Sequence, residues 1–344
     1  MAIEYPRHTD DADDEVDSDD HVSLWSGSSD TSSEIVELDQ NDFPAYFTER
    51  EGRLFHSHGN APYPLPVDAH EQHRTNGQHV LLYQLLGRHC AGPVRRVLRR
   101  REDTHTTVRA LDLCTGTGQW VLDMAHEFPH VKFFGLDIVP IATRHPPDNV
   151  LFEMADVNEP LRYRNASFNL VHARSTSMAV TNYASLLNEV ARVLRPGGIF
   201  VAGEWGRCAA LTGGQNPDLV IPFTVDFYSA VRQVLWARGL YPAVYDDLEG
   251  LLVGSRHFDH VEYHVYEMPI GDWPEDSQRR WMGIEFRGIL ELYAMSMKVM
   301  LREAGWPNVD QLIDGFRYEI YNVPGMVCRF KTVYARRGRT MVQN

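Results

Sequence analysis

The stretch Ala110-Leu-Asp112-Leu-Cys114-Thr-Gly116-Thr-Gly118-Gln-Trp120 decides the fold. Its apolar approach, Val108 to Leu113, reads as a buried strand, and Gln119 to Glu127 reads as the helix that follows. Between them two glycines form a turn in which no Cβ keeps a ligand off the backbone. The first turn of the helix then presents N–H groups without intrahelical partners. A polar cofactor can dock on such a strand, turn and helix. A dinucleotide fingerprint needs a third glycine three positions after the second; here Gly118 is followed by Gln119, Trp120 and Val121. The close helix-to-strand packing around a pyrophosphate is therefore not encoded, which ranks a nicotinamide oxidoreductase last among the readings of this motif.

Working outward, strand-like and helix-like segments alternate: Lys132 to Asp137, Val150 to Glu153, Phe168 to His172, Tyr183 to Leu194 and Gly198 to Glu204. Alternation of this kind predicts an α/β fold, a mostly parallel sheet with helices on both faces. Asp137 ends the second strand, 19 residues past Gly118, where a carboxylate can accept both ribose hydroxyls of a nucleoside. At the end of the third strand Asp156 can accept from an adenine amino group while Val157 donates its backbone N–H. With Asp112, acids stand at three successive strand ends; singly, each also reads as an N-cap or turn aspartate. Arg195-Pro-Gly197-Gly198 reads as a structural turn.

Ahead of this core a helix is expected between Ala69 and Gly87, and the arginines from Arg95 to Arg101 read as a solvated helix end. Beyond Trp205, helices are expected between Leu219 and Arg238 and between Gln278 and Ala304, with a β-like stretch from His257 to Met268. Antiparallel strands, including Val327 to Tyr334, are expected to complete the sheet.

The formal charge of −14 sits in one place. Residues 1–42 hold fourteen acids against Arg7 alone, leaving 33 acids and 32 bases in the rest. This acidic, serine-rich segment has too few apolar residues to offset the entropy of ordering and is expected to be a disordered tail. A near-neutral body argues against nucleic acid as a partner. The cysteines Cys90, Cys114, Cys208 and Cys328 make no CxxC pair, so no metal is expected. No apolar run approaches the roughly 20 residues that cross a bilayer, so no membrane association is expected, and the location is expected to be cytoplasmic.

Together these residues resemble the class I methyltransferases, and within them the fungal LaeA-like family, from about Arg50 onward. The resemblance is carried by Glu51-Gly-Arg53 with His56, by Tyr63-Pro-Leu-Pro66-Val-Asp68 through Arg74, and by Gln78-His79. His172-Ala-Arg174, Leu194-Arg-Pro-Gly-Gly198 through Glu204, and Met268-Pro-Ile-Gly-Asp-Trp273-Pro carry the remainder. The family's usual first glycine of the turn is Cys114 here. A nucleophilic role for that thiol lacks a neighbouring base in the sequence.

The resemblance implies a Rossmann-like, mostly parallel seven-stranded sheet over 108–344 with a helical C-terminal cap at about 215–320, and an N-terminal helical cap over 43–107. It implies S-adenosyl-L-methionine as cofactor, held by Asp112, Cys114, Gly116, Gly118, Trp120, Asp137, Ile138, Asp156, Val157, Arg174, Arg74 and His79. Methyl transfer to a small-molecule acceptor in fungal secondary metabolism is the expected activity. The alternative is a LaeA-like regulator with a protein partner and a nuclear location. Because the methyl donor carries the chemical drive, alignment alone can supply on the order of 7–11 kcal/mol. Where the acceptor needs a base, His172, Glu204 and His79 are the candidates. Structural roles remain open for both histidines, and Arg174 reads either as a pocket cation or as a buried strut.

Overall fold

The computed structural model describes residues 38–59, 61–99 and 107–338. Most of the expected acidic tail, residues 1–37, lies outside these. Its last residues are ordered, because the Asp39 carboxylate accepts from the Asn41 N–H and caps a 3-10 helix, Gln40–Tyr46. Residues ahead of the expected boundary at Phe43 are thus already ordered.

A hairpin follows, β1 (Phe47–Arg50) and β2 (Arg53–His56), paired antiparallel. Helix α1 (Ala69–Leu86) is bounded as its ends dictate: the Asp68 side chain accepts from the Glu71 N–H, and Gly87 terminates it at φ 66°. Asp68 also receives Arg53, Nε at 2.5 Å and Nη2 at 3.0 Å, so one carboxylate both caps the helix and ties the hairpin to it. The short α2 (Val94–Val97) carries Arg95, whose exposed guanidinium pairs with Glu127, in keeping with a solvated helix end.

The core is β3 (Val108–Leu113), α3 (Gln119–Glu127), β4 (Val131–Asp137), β5 (Val150–Met154), β6 (Phe168–Arg174), α4 (Tyr183–Val193) and β7 (Leu194–Leu211). Then come α5 (Pro217–Val220), α6 (Pro222–Ala237), α7 (Val244–Ser255), β8 (Phe258–Pro269), α8 (Ser277–Glu303), α9 (Val309–Asn322) and β9 (Met326–Arg337). The seven-stranded sheet runs β5-β4-β3-β6-β7-β9-β8. The five strands from β5 to β7 are parallel, while β9 pairs antiparallel with both β7 and β8, as expected for strands completing the sheet. Helices α7 and α9 and the hairpin were not anticipated.

Strand β3 lies between β4 and β6, so the chain winds outward to one side and then restarts on the other. The crevice beyond the carboxyl ends of β3 and β6 is where open α/β sheets bind ligands. One face of the sheet packs under α4 and α7, and the other under α2 and α3. A third apolar core gathers α6, α8 and α9 against α1 and the ends of β8 and β9, roofing the crevice.

The roof depends on a close passage. A Cβ on Gly283 of α8 would lie 2.1 Å from the Gly271 carbonyl oxygen, and the Gly271 N–H donates to the Gly283 carbonyl at 2.9 Å. Gly283→Ala is expected to destabilise the protein by about 1–3 kcal/mol, the usual cost of forcing a methyl into packed backbone. Urea unfolding measures it, and an unchanged midpoint would refute the passage.

Candidate functional site

A pocket of about 1260 Å³, including its open mouth, lies at the carboxyl ends of β3, β4, β5 and β6. The turn after β3 is held from beneath. The buried carboxylate of Asp112 accepts from Thr115 Oγ1 at 2.8 Å and pairs with His172 Nδ1 at 2.7 Å. The His172 ring stacks on Trp120 with centroids 3.8 Å apart, and the Trp120 N–H donates to the His89 carbonyl. Burial holds the His172 pKa below its ordinary value, against the opposing pull of Asp112. The ring is therefore neutral and donates Nδ1–H to the carboxylate.

This arrangement corrects two expectations. Neither Asp112 nor His172 lines the pocket. Both are only 4% exposed, and the Asp112 carboxylate with His172 Nδ1 fixes β3 to β6 and to the turn. His172 is thus a support, not a base facing a substrate. Gly118 is displaced in the same way: at φ 79° it starts α3, and a Cβ there would lie 2.5 Å from the Phe152 ring. Its role is to let Phe152 pass.

The other expected cofactor residues come together. Cys114, Gly116, Trp120, Asp137, Ile138, Asp156, Val157, Arg174, Arg74 and His79 all line the pocket. Cys114 adopts φ 56°, the left-handed conformation that favours glycine. Burial and the nearby Asp137 hold its thiol pKa well above normal, so it stays protonated and is not a nucleophile. Asp137 accepts from the Gly116 N–H at 2.7 Å and the Val139 N–H at 3.3 Å. Burial nevertheless raises its pKa to about 6. Asp156 accepts from both nitrogens of Asn158, so the turn and pocket readings hold together there.

Arg174 donates Nη2–H to His79 Nδ1 at 2.9 Å, while His79 Nε2 stands 2.7 Å from Asp123. Burial, with Arg174 adding to it, lowers the His79 pKa to about 4. The ring is thus neutral, with its proton on Nε2 facing Asp123, and neither nitrogen is left to act as a base. His79, His89 and Asp123 also form a group whose ligand-type atoms lie within 4.8 Å of one another. A metal on His79 Nε2 would require the proton on Nδ1, against the Arg174 donor, so the residues do not fit one.

Arg74 donates to Glu71 and Gln78 on its own helix, and Glu71 receives Ser296 of α8. Glu204 does not line this pocket but a neighbouring cavity of about 570 Å³. It takes the N–H groups of Thr176 and Ser177 and the hydroxyls of Thr176, Ser177 and Tyr183, and is a strut for the loop after β6. Sequence reasoning missed Asn76, whose Oδ1 accepts from Thr117 Oγ1 at 2.6 Å and bolts α1 to the turn. It also missed Tyr63, Ser175 and Met178 in the pocket wall. Asn76 falls between the quoted Arg74 and Gln78, and Tyr63 opens a quoted segment without being read as a site residue; Ser175 and Met178 carried no motif.

Asp112→Ala should lower the stability of the unliganded protein by about 1–3 kcal/mol, because the buried His172 Nδ1–H is left unpaired. Thermal unfolding without ligand checks this, since a residue serving only a ligand would leave the midpoint unchanged.

Residues 104–213 match a methyltransferase domain family. The secondary metabolism regulator laeA of Coprinopsis cinerea is 35% identical over 46% of this chain and 39% of its own length. That of Aspergillus niger is 26% identical over 73% of this chain and 65% of its own. Methyltransferase str3 of Strobilurus tenacellus is 27% identical over 62% of this chain and 73% of its own. The chain therefore spans less than two thirds of the first two relatives. Glycine turn and acid-tipped strands fall within the match: residues 104–213 are a methyltransferase domain, and the chain is similar to the laeA regulators over part of their length.

Proposed function

We propose that the pocket binds S-adenosylmethionine and that the protein transfers its methyl group to a small-molecule acceptor. The observation that carries this is Asp137. Its carboxylate lines the pocket, and the hydrogen bonds it accepts come from backbone N–H groups, so lone pairs remain for two ribose hydroxyls. Asp156 and the Val157 backbone stand where an adenine edge would lie, one strand further along. Arg174 lines the pocket near the turn and suits the carboxylate of the cofactor's amino-acid end. Its bond to His79 makes it a strut as well.

When bound, the cofactor supplies an electrophilic methyl whose departure leaves a neutral thioether. The chain's own task is to orient the two reactants and exclude water, which α1 and the 61–67 segment do by covering the crevice. With His172, His79 and Glu204 committed to structural bonds, alignment carries the rate.

The regulator reading is favoured by the names of the laeA relatives. It keeps the same pocket and adds a protein partner and a nuclear location. Turnover of radiolabelled cofactor with metabolite extracts decides for the enzyme; cofactor binding with no transfer to any small molecule, and with label on a co-purifying protein, decides for the regulator.

In calorimetric titration S-adenosylhomocysteine should bind and NADH should not. Asp137→Ala should weaken the first by roughly ten- to a hundredfold, the loss of about 1.5–3 kcal/mol for hydrogen bonds to a charged group. Equal affinity in the variant would sink the ribose assignment. Ribose hydroxyls donate to the ionised carboxylate, so affinity is full above pH 7 and falls as pH drops through about 6. At pH 5 it should be roughly tenfold weaker, one pH unit below the pKa. Asp137→Asn should flatten that profile.

A further inference from the structure

The seven-stranded sheet ends on one side in β8, whose outer edge adjoins no other strand among the described residues. From Asp259 to Glu267 no residue of β8 is buried, although its neighbour β9 is buried along most of its length. Tyr263 and Val265 are 48% and 45% exposed. The strand is thus open at its edge and along its faces.

The direction of its backbone groups follows from the register. β8 pairs with β9 without a shift from Glu262↔Tyr334 to Pro269↔Val327, and in the same register the Ile270 N–H donates to the Met326 carbonyl. Antiparallel ladders alternate, so residues an odd number of places before Ile270 turn their N–H and C=O groups away from β9. These are Tyr263, Val265 and Glu267. In agreement, the Glu267 carbonyl accepts from a side chain, Arg279 Nη2 of α8, at 3.5 Å. The backbone groups of Tyr263 and Val265 have no such partner among the described residues.

Soluble proteins guard an open edge with lysine, proline, a bulge or a covering element. Between Glu262 and Glu267 there is no lysine and no proline, and the register shift lies ahead of them, at Asp259–Glu262. Tyrosine and valine are instead residues that favour strands.

The stretch Glu262-Tyr-His264-Val-Tyr-Glu267 is complementary to itself in one register. When two copies run antiparallel about a two-fold axis at Tyr263, Glu262 of each stands opposite His264 of the other. Moving the axis by one residue sets His264 against His264 or Glu262 against Glu262. The axis at Tyr263 also brings its outward N–H and C=O onto their own counterparts. Glu262 already receives the Tyr334 hydroxyl, but a carboxylate has lone pairs for an imidazole N–H as well. The shift ahead of Glu262 takes Asp259 out of this register, and Glu267 is paired with Arg329 of its own sheet.

We propose that β8 is a dimerisation edge, through which two copies of this chain join their sheets into one in the register that sets Glu262 against His264. The self-complementary charge selects a second copy over an unrelated strand.

The test is size-exclusion chromatography with light scattering on the full chain over a concentration series, with thermal unfolding as the check on folding. The unaltered chain should elute with the mass of two chains and dissociate on dilution. Tyr263→Pro removes an N–H that β9 does not use, a change an edge strand tolerates, and should give a folded monomer. His264→Glu, at an exposed side chain, should weaken the dimer about tenfold through its two symmetric cross-strand pairs. Glu262→His should do the same, and the double variant, with both pairs reversed, should recover the affinity. A monomer at every concentration overturns the proposal, as does a dimer indifferent to Tyr263→Pro and His264→Glu. Failure of the double variant to recover overturns the register and the proposal with it. A chain that dimerises only after residues 1–37 are removed would have its edge occupied by its own terminus, which is also a refutation.

Discussion

The buried carboxylate of Asp112 is the constraint around which the rest is arranged. It sits at the end of β3, where the chain must go one way to β4 and β5 and later the other way to β6, and it bonds to a side chain on each side of that divide. His172 ties it to β6, and Thr115 ties it to the turn that follows. The stack of His172 on Trp120 then brings in α3, and the Trp120 N–H reaches back to the segment after α1. A carboxylate taken out of water is costly unless its lone pairs are filled. Filling them with groups from β6 and from the turn makes the geometry of the crevice a condition of folding.

The pocket is built on that base by residues whose own bonds are of two kinds. Asp137, Gly116 and Val139 lock the second strand end to the turn through backbone N–H groups, which leaves side-chain acceptors facing the cavity. Arg74 and Glu71, by contrast, are consumed by each other, by Gln78 and by Ser296, and they join α1 to α8. The roof over the pocket is consequently fastened through α1 to residues that line it.

Much of the parallel core was legible because short apolar runs bounded by glycine and acid have few alternatives. Strands β3 to β6 and helices α1, α3 and α4 lie within two residues of where periodicity puts them. The region after Trp205 was read more coarsely, since α7 and α9 carry no cap or spacing that separates them from a loop, and a bulge leaves no period in the sequence. The candidate site divides along the same line. Asp137, Asp156 and the turn were found because strand ends at a fixed spacing place them on one edge.

Sequence alone determined the parallel α/β order, the edge of the sheet that carries the pocket and its acidic tips, because strand length, glycine turns and spacing are local properties of the chain. Which polar groups face a ligand was decided by tertiary structure. His172, Glu204 and His79 are the same residue types whether they act as bases or as struts. Only the partners brought to them from β3, from the loop after β6, and from α3 with Arg174 turn them into struts.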